Sequence, residues 1–113
     1  MLIVDDSEVA RRALANRLRA AGLAVVELAS AGTGAAASLD GIACVVLDLE
    51  LGDGDGVNVA RALRSRDARI PIAFFTGAAT SSLATRAKTY GPVFAKPEDL
   101  ELVADWAKTT SGP

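Results

Sequence analysis

Short apolar runs alternate along the chain with segments whose apolar residues recur at helical spacing. The runs predict five strands, at residues 2–4, 24–28, 42–47, 70–75 and 92–95. Runs such as ACVVL and IAFF are apolar at consecutive positions, so both faces of each strand must be covered. This pattern is typical of parallel strands that lie between two layers of helices.

Helical spacing is clearest in the first, third and fifth of the intervening segments. Their apolar residues recur every three or four positions, at Val9, Ala13, Leu14, Leu18 and Ala21, at Val59, Ala60 and Leu63, and at Leu100, Val103 and Ala107. The second and fourth helices, near residues 33–39 and 80–89, are predicted from alanine content instead. Five repeats of strand and helix predict an α/β fold, in which a parallel five-stranded sheet is the middle layer of a three-layer sandwich.

Length and composition limit the number of domains. With 113 residues, 50% of them apolar, and a mean hydropathy of +0.29, the chain can bury one compact core. We therefore predict one domain over residues 1–108, with TTSGP at 109–113 as a tail or the start of a linker. The chain has no apolar run of about 18 residues that could cross a bilayer, so we expect a soluble protein without membrane contact.

Charge and cysteine content exclude further classes of function. The net charge of −2 and the pI near 5.0 offer no basic field for nucleic acid. The arginines at positions 11, 12, 17 and 19 are predicted to lie on the outer face of the first helix, where water would solvate them. The single cysteine, Cys44, lies in an apolar run and is predicted to be a buried thiol, which fits a reducing, cytoplasmic setting.

The candidate chemistry lies at the ends of the predicted strands. The chain has no histidine, so carboxylates, hydroxyls and one amine are the groups available. Asp5 and Asp6 follow the first strand, Asp48 the third, Thr76 the fourth and Lys96 the fifth. Because the ligand site of an open parallel sheet lies at the carboxyl ends of its strands, we expect these five side chains to converge.

Three carboxylates at one site require a cation. They would repel one another, and sharing a site raises at least one of their pKa values. A hard divalent ion with oxygen ligands offsets that repulsion. Mg²⁺ fits best, because it binds one or two carboxylates together with water and phosphate oxygens. The sequence therefore predicts a magnesium site.

The same motifs resemble a known family over essentially the whole chain. The order IVDD, VVLDLELGDGDG, FFTG and FAKP is similar to that of the receiver domains of two-component response regulators. The resemblance implies a flavodoxin-like (βα)5 fold with strand order 2-1-3-4-5. It also implies transfer of a phosphoryl group from a partner's histidine to Asp48. Since this chain has no histidine, the donor must belong to another protein.

The resemblance assigns the acidic residues to metal binding and phosphoryl transfer. Asp48 is implied to be the phosphoacceptor and also a metal ligand. Asp6 would contact Mg²⁺ directly, Asp5 through water, and Glu50 through its backbone carbonyl. An N-cap on the first helix, made by Asp6 or Ser7, is an alternative role that does not exclude metal binding by Asp6.

Two further residues are implied to contact the phosphoryl group. Lys96 would pair with Asp48 and then with phosphoryl oxygens, in a loop fixed by Pro97 and commonly by a cis peptide bond. Thr76 would offer its hydroxyl. Receivers usually carry an aromatic switch residue three positions before the lysine, where this chain has Val93, and Phe94 is expected to face the core. The domain would then signal without an aromatic switch or act as a phosphoryl relay.

The loop LGDGDG also suggests calcium, but its register does not fit. A calcium loop starting at Asp48 would place Asp53 at the required glycine and Val59 at the required glutamate. The glycines more simply allow a tight turn, with Asp55 near the cap of the third helix. Gly52 replaces the proline usual in the family, which leaves the rigidity of the loop open.

Together these features predict a stand-alone phosphoacceptor receiver domain rather than an enzyme, catalysing only its own phosphorylation and dephosphorylation. Its partners would be a histidine kinase or histidine phosphotransfer protein, and a downstream protein that binds the surface of the fourth helix, fifth strand and fifth helix. A phosphorylation-dependent homodimer is compatible with this. The alternatives are a non-phosphorylated docking module, a fragment of a hybrid kinase or transcription factor, and a hydrolase of free phosphorylated substrates.

Overall fold

A five-stranded parallel sheet is the central layer of this computed structural model, which describes residues 1–112. The strands are β1 Leu2–Val4, β2 Val26–Leu28, β3 Val45–Leu47, β4 Glu50–Leu51, β5 Gly54–Asp55, β6 Ile72–Thr76 and β7 Val93–Ala95. The sheet has the order β2-β1-β3-β6-β7, and β4 and β5 form a separate antiparallel hairpin. Counting the sheet strands alone, this is the order 2-1-3-4-5, so the predicted fold is confirmed.

Short polar side chains begin four of the five helices. The helices are α1 Glu8–Ala20, α2 Ala31–Ala35, α3 Gly56–Arg66, α4 Ser82–Ala87 and α5 Leu100–Ser111. The first four are each preceded by a residue whose side chain accepts the backbone N–H three positions later, namely Ser7, Ser30, Asp55 and Ser81. Asp55 therefore caps α3 as predicted. None of these helices is long and apolar enough to cross a membrane.

Consecutive residues of the central strands face opposite layers of helices. Leu2 and Val4 of β1 pack against the layer of α2, α3 and α4, whereas Ile3 packs against α1 and α5. All three are at most 1% exposed. Cys44 is fully buried beside them, as predicted. Because both faces of these strands are buried, their sequences are uninterrupted runs of apolar residues.

Several predicted boundaries are wrong because pairing sets the length of each strand. β2 and β3 each pair with β1 over three residues, so they begin at Val26 and Val45 rather than at residues 24 and 42. β6 instead extends to Thr76, which pairs with Ala95 of β7. The helices predicted at 33–39 and 80–89 are the shorter α2 and α4.

Two positions assigned from periodicity also differ in the structure. Val9 is 83% exposed, because it lies about 140° around α1 from Leu14 on the buried face. Helix α5 continues through residues 109–111, so the predicted tail begins inside the helix. Pro113 lies outside the described residues.

The sequence suggested that water simply solvates the arginines of α1, but the structure shows that it does not. Three of them surround the carboxylate of Glu27 on β2 at 2.9–3.5 Å, namely Arg11, Arg12 and Arg19. Partial burial favours the neutral acid, but the hydrogen bond from Arg19 and the nearby positive charges outweigh it and lower the pKa of Glu27. These ion pairs hold the edge strand of the sheet to α1.

We expect Glu27→Gln to lower the free energy of unfolding by about 1 kcal/mol at pH 7, because the guanidinium groups lose their charged acceptor. Since the pKa of Glu27 is lowered on folding, this stabilisation is present above the ordinary pKa of 4.5 and is lost as the pH falls through the folded value. Urea denaturation at pH 7 and at low pH measures the loss. Substitution of the exposed residue Glu98, as Glu98→Gln, is the control. An equal loss at low and neutral pH would contradict an ionic cause.

Candidate functional site

The register of the parallel sheet brings the predicted residues to one edge. Val4 pairs with Leu47, so Asp5 and Asp48 leave the sheet side by side, and the Asp48 N–H donates to the Val4 carbonyl at 2.9 Å. At the neighbouring strand ends, the Lys96 N–H donates to the Thr76 carbonyl at 2.9 Å. The carboxyl ends of four strands therefore carry the polar side chains to a single cleft.

Lys96 bridges two buried carboxylates at this edge. Its Nζ lies 2.9 Å from Asp48 Oδ2, the pairing that the resemblance implied, and 2.6 Å from Asp5 Oδ2, a pairing that sequence reasoning missed. The Asp5 and Asp48 side chains are only 5% and 10% exposed. The Lys96–Pro97 peptide bond is cis, as the resemblance suggested.

Burial is the largest single influence on the pKa values of Asp5 and Lys96. It raises the pKa of Asp5 more than the hydrogen bonds from Lys96 and from the Ser7 N–H lower it, and the charge of Asp48 adds a smaller increase. Repulsion between carboxylates, the cause expected from the sequence, is thus the lesser one. Burial alone would lower the pKa of Lys96, but its hydrogen bonds to Asp5 and Asp48 raise it.

The carboxylates provide a donor set suited to a hard cation. Oxygen atoms of Asp5, Asp6 and Asp48 lie within 4.8 Å of one another. Among the described residues, Asp48 Oδ1 is a buried oxygen without any hydrogen-bond partner. With all three acids ionised, the single charge of Lys96 leaves the group two negative charges in excess. An orphaned oxygen within an excess of negative charge fits Mg²⁺.

The N-cap alternative belongs to Ser7 rather than to Asp6. Ser7 Oγ accepts the Ala10 N–H at 3.3 Å, and Asp5 Oδ1 accepts the Ser7 N–H at 2.9 Å. Asp6 remains exposed, with its Oδ2 accepting the Gly52 N–H at 3.0 Å. Capping of α1 by Ser7 therefore leaves the Asp6 carboxylate in the acidic cluster with Asp5 and Asp48.

A polar, solvent-open cleft of about 620 Å³ adjoins these groups, and its walls include Asp6, Asp48, Glu50, Gly52, Thr76 and Lys96. Thr76 is 1% exposed, and its Oγ1 accepts the Ala78 N–H at 3.1 Å. The hydroxyl hydrogen of Thr76 is thus left to donate to a group in the cleft. The cleft has room for a cation and a phosphoryl group together.

The loop after Asp48 was only partly predicted. The hairpin β4–β5 was missed, because two-residue strands have no periodicity to detect. Asp53 contacts the first turn of α2, whereas the sequence analysis had considered it only as part of a calcium loop. A Cβ on Gly56 would lie 2.2 Å from the Asp48 carbonyl oxygen, so this glycine is required for the close return of the chain.

The residue at the position of the usual aromatic switch and the residue after it both pack against the core. Val93 is partly buried against the α2–α4 side of the core, and Phe94 is partly buried against the α1–α5 side. Phe94 therefore packs in the core, as predicted.

Comparison with known proteins gives a consistent family match. Residues 1–105 match the family model described as response regulator receiver domain. Acid tolerance regulatory protein ActR of Sinorhizobium medicae (strain WSM419) is 36% identical over 104 residues, which cover 89% of this chain and 54% of ActR. The chain thus spans about half the length of this curated relative.

Solved structures match the fold over nearly the whole chain. The non-phosphorylated HemR receiver domain from Leptospira biflexa has a TM-score of 0.85 at 23% identity, covering 99% of this chain and 93% of that one. The CheX-CheY-BeF3-Mg²⁺ complex from Borrelia burgdorferi has a TM-score of 0.83 at 18% identity, covering 99% and 88%. At these identities the likeness establishes the fold.

We expect Mg²⁺ to raise the melting temperature by roughly 10 °C at about a hundred times its Kd, because the folded chain alone assembles the carboxylates. Asp6→Asn and Asp48→Asn should each remove most of this increase while still folding. Thermal denaturation with and without Mg²⁺ measures it, and Asp40→Asn, on the surface between α2 and β3, is the control. An unchanged increase in Asp48→Asn would place the metal elsewhere.

Proposed function

This chain belongs to the response regulator receiver domain family, and on that premise we propose that Asp48 accepts a phosphoryl group from a partner's histidine in a Mg²⁺-dependent reaction. The observation that carries the proposal is the state of the Asp48 carboxylate. It is buried, one oxygen is held by Lys96, and the other has no hydrogen-bond partner among the described residues. Such a carboxylate is held in place through one oxygen and keeps the other available to attack, as a nucleophile must.

The transfer requires little covalent chemistry from the chain itself. A carboxylate oxygen of Asp48 forms a bond to phosphorus while the bond between phosphorus and the donor's imidazole nitrogen breaks. The nitrogen keeps the electron pair, and the product is an acyl phosphate. Lys96 lies where it can pair with phosphoryl oxygens, and the Thr76 hydroxyl can donate to another. The donor is a histidine kinase or a histidine phosphotransfer protein.

The charge of the cleft explains the need for a metal. Without a cation, the excess of negative charge at Asp5, Asp6 and Asp48 would repel an incoming phosphoryl group. When bound, Mg²⁺ supplies the positive charge that offsets both the carboxylates and the phosphoryl oxygens. Asp6 and Asp48 would hold it directly, Asp5 through a water molecule, and Glu50 through its backbone carbonyl.

The other function classes fit the site less well. A docking module without phosphorylation would have no need of Asp48, Thr76 and Lys96 around one cleft. A hydrolase of free substrates would need a dedicated acid or base and an enclosing pocket, whereas this cleft is open. The chemistry of the chain is therefore limited to its own phosphorylation and dephosphorylation.

The output of the switch is proposed to be a change in partner binding. Helix α5, which contacts β7, carries Leu102, a large apolar side chain that is 54% exposed. A downstream protein or a second copy of the chain would bind there after phosphorylation. A cytoplasmic location belongs to the same proposal and is supported by the single, buried thiol of Cys44.

Incubation with a small acyl phosphate donor and Mg²⁺ should add one phosphoryl group that is stable in acid and labile in base. Asp48→Asn should abolish labelling, and Asp6→Asn should slow it roughly tenfold or more through lost metal affinity. Intact-mass spectrometry measures the adduct, and chelation of Mg²⁺ should prevent it.

The labelling controls separate two kinds of failure. Circular dichroism must show that each variant is folded. A folded wild-type chain without an adduct in excess Mg²⁺ would favour the docking module. An adduct that persists in Asp48→Asn would instead identify a different nucleophile.

We expect Thr76→Val to keep its labelling rate within roughly threefold but to lose the conformational response, because a phosphoryl group shifts an equilibrium only through contacts that differ between its states. Amide hydrogen exchange of residues 77–91, with and without beryllofluoride and Mg²⁺, measures that response. Thr76→Ser keeps the hydroxyl and is the matched control. A normal response in Thr76→Val would assign the switch to another contact.

A further inference from the structure

Asp53 binds both leading amides of helix α2 with one carboxylate. Its Oδ1 accepts the Ala31 N–H at 2.7 Å, and its Oδ2 accepts the Gly32 N–H at 3.0 Å. These two hydrogen bonds lower the pKa of Asp53, so the acceptor is a carboxylate at neutral pH. A side chain 22 residues away in the sequence therefore completes the N-terminus of this helix.

The amides that Asp53 binds have no other acceptor from α2 itself. The first amides of a helix lack intrahelical partners, and Ser30 satisfies the Thr33 N–H at 3.1 Å. The Gly34 N–H donates to the Ser30 carbonyl. Ser30 and Asp53 therefore accept the N–H groups of the first turn, and among the described residues only Asp53 makes a hydrogen bond from this turn to a distant part of the chain.

Helix α2, to which this link attaches, packs closely against β1 and the hairpin. A Cβ added to Gly34 would lie 3.0 Å from both methyl groups of Val4, so the helix lies directly against the last residue of β1. A Cβ on Gly54 would lie 3.0 Å from Ala31 Cβ, so the hairpin is also in close contact with α2. The helix is thus fixed to the strand that leads into the metal site.

The segment that Asp53 anchors is rich in glycine, and the β4–β5 pairing and the buried Leu51 order it in part. Three of the seven residues at 50–56 are glycine, which has the largest backbone entropy to lose on ordering. The tip of the hairpin is held on one side by the Gly52 N–H to Asp6 Oδ2 and on the other by Asp53. Gly52 and Asp53, which are adjacent in the chain, therefore connect the loop to Asp6 and to α2.

We propose that Asp53 is a positioning residue that orders the loop of residues 50–56 and thereby sets the affinity of the site for Mg²⁺. This inference rests on the proposed function, because it concerns the metal that the receiver reaction requires. Without the tether, Gly52 would no longer hold the Asp6 carboxylate in place, and the carbonyl of Glu50 would have to be ordered when the metal binds. The carboxylate of Asp53 also replaces the rigidity that proline would give at position 52.

The competing explanation is that Asp53 attracts the cation only through its charge. Two variants separate the explanations, because Asp53→Asn removes the charge but keeps one acceptor oxygen, whereas Asp53→Ala removes both. Positioning predicts an intermediate loss in Asp53→Asn, which keeps one of the two hydrogen bonds, and Mg²⁺ binding roughly three- to tenfold weaker in Asp53→Ala, which loses both. Attraction by charge predicts equal losses that disappear in high salt.

The test is calorimetric titration of the purified chain with MgCl₂, together with amide hydrogen exchange of Gly52 in metal-free protein. Ser30→Ala is the matched control, because it removes the other cap of α2 without touching the loop. We expect it to lower the melting temperature while leaving the Mg²⁺ affinity unchanged. In Asp53→Ala the Gly52 amide should lose its protection before any metal is added.

Each result either supports or overturns the inference. Weaker Mg²⁺ binding by Asp53→Ala than by Asp53→Asn, with faster exchange at Gly52, supports it. The inference is overturned if Asp53→Ala binds Mg²⁺ with unchanged affinity, if Ser30→Ala shows a similar loss, or if both Asp53 variants lose affinity equally. In each of these cases the wild-type chain would still bind metal and be phosphorylated. A wild-type chain that binds no Mg²⁺ would overturn this inference and the proposed function together.

Discussion

One ammonium group between two buried carboxylates is the constraint on which the site depends. Lys96 reaches both Asp5 and Asp48, which follow neighbouring strands and would otherwise lie as unpaired charges at the edge of the core. A buried charge without a partner is costly, so without the lysine each acid would lower the stability of the fold or take up a proton. The bridge also leaves the group with excess negative charge, which suits the cleft to the cation that we propose it binds, and that cation would offset the repulsion of a phosphoryl group.

The parallel sheet makes this bridge possible. In a parallel register the strands end at the same edge, so residues separated by more than 40 positions become neighbours without any special loop geometry. Burial on both faces of β1 and β3 then fixes the register, because a shift by one residue would exchange the two apolar faces. The packing of the core and the geometry of the site are therefore consequences of the same pairing.

The loop after Asp48 is stabilised in a different way. It is rich in glycine, and individual polar contacts order it together with the β4–β5 pairing and the buried Leu51. The Gly52 N–H binds Asp6, Asp55 caps α3, and Asp53 binds α2. Three acids that could be mistaken for a calcium loop thus have separate structural partners, and the acids that remain for a metal are those at the strand ends.

The sequence by itself determined the fold class and which residues meet at the edge, because apolar periodicity and the motifs at strand ends are local properties of the chain. The order of the strands came from the family resemblance of those motifs. The sequence also identified Asp55 as a cap and Cys44 as buried. Only the tertiary structure decided the second partner of Lys96, the burial that raises the pKa of Asp5, the ion pairs around Glu27 and the anchoring of Asp53 to α2. Each of these depends on the distance between residues far apart in the chain, and that distance is set by register and packing rather than by the identity of neighbouring residues.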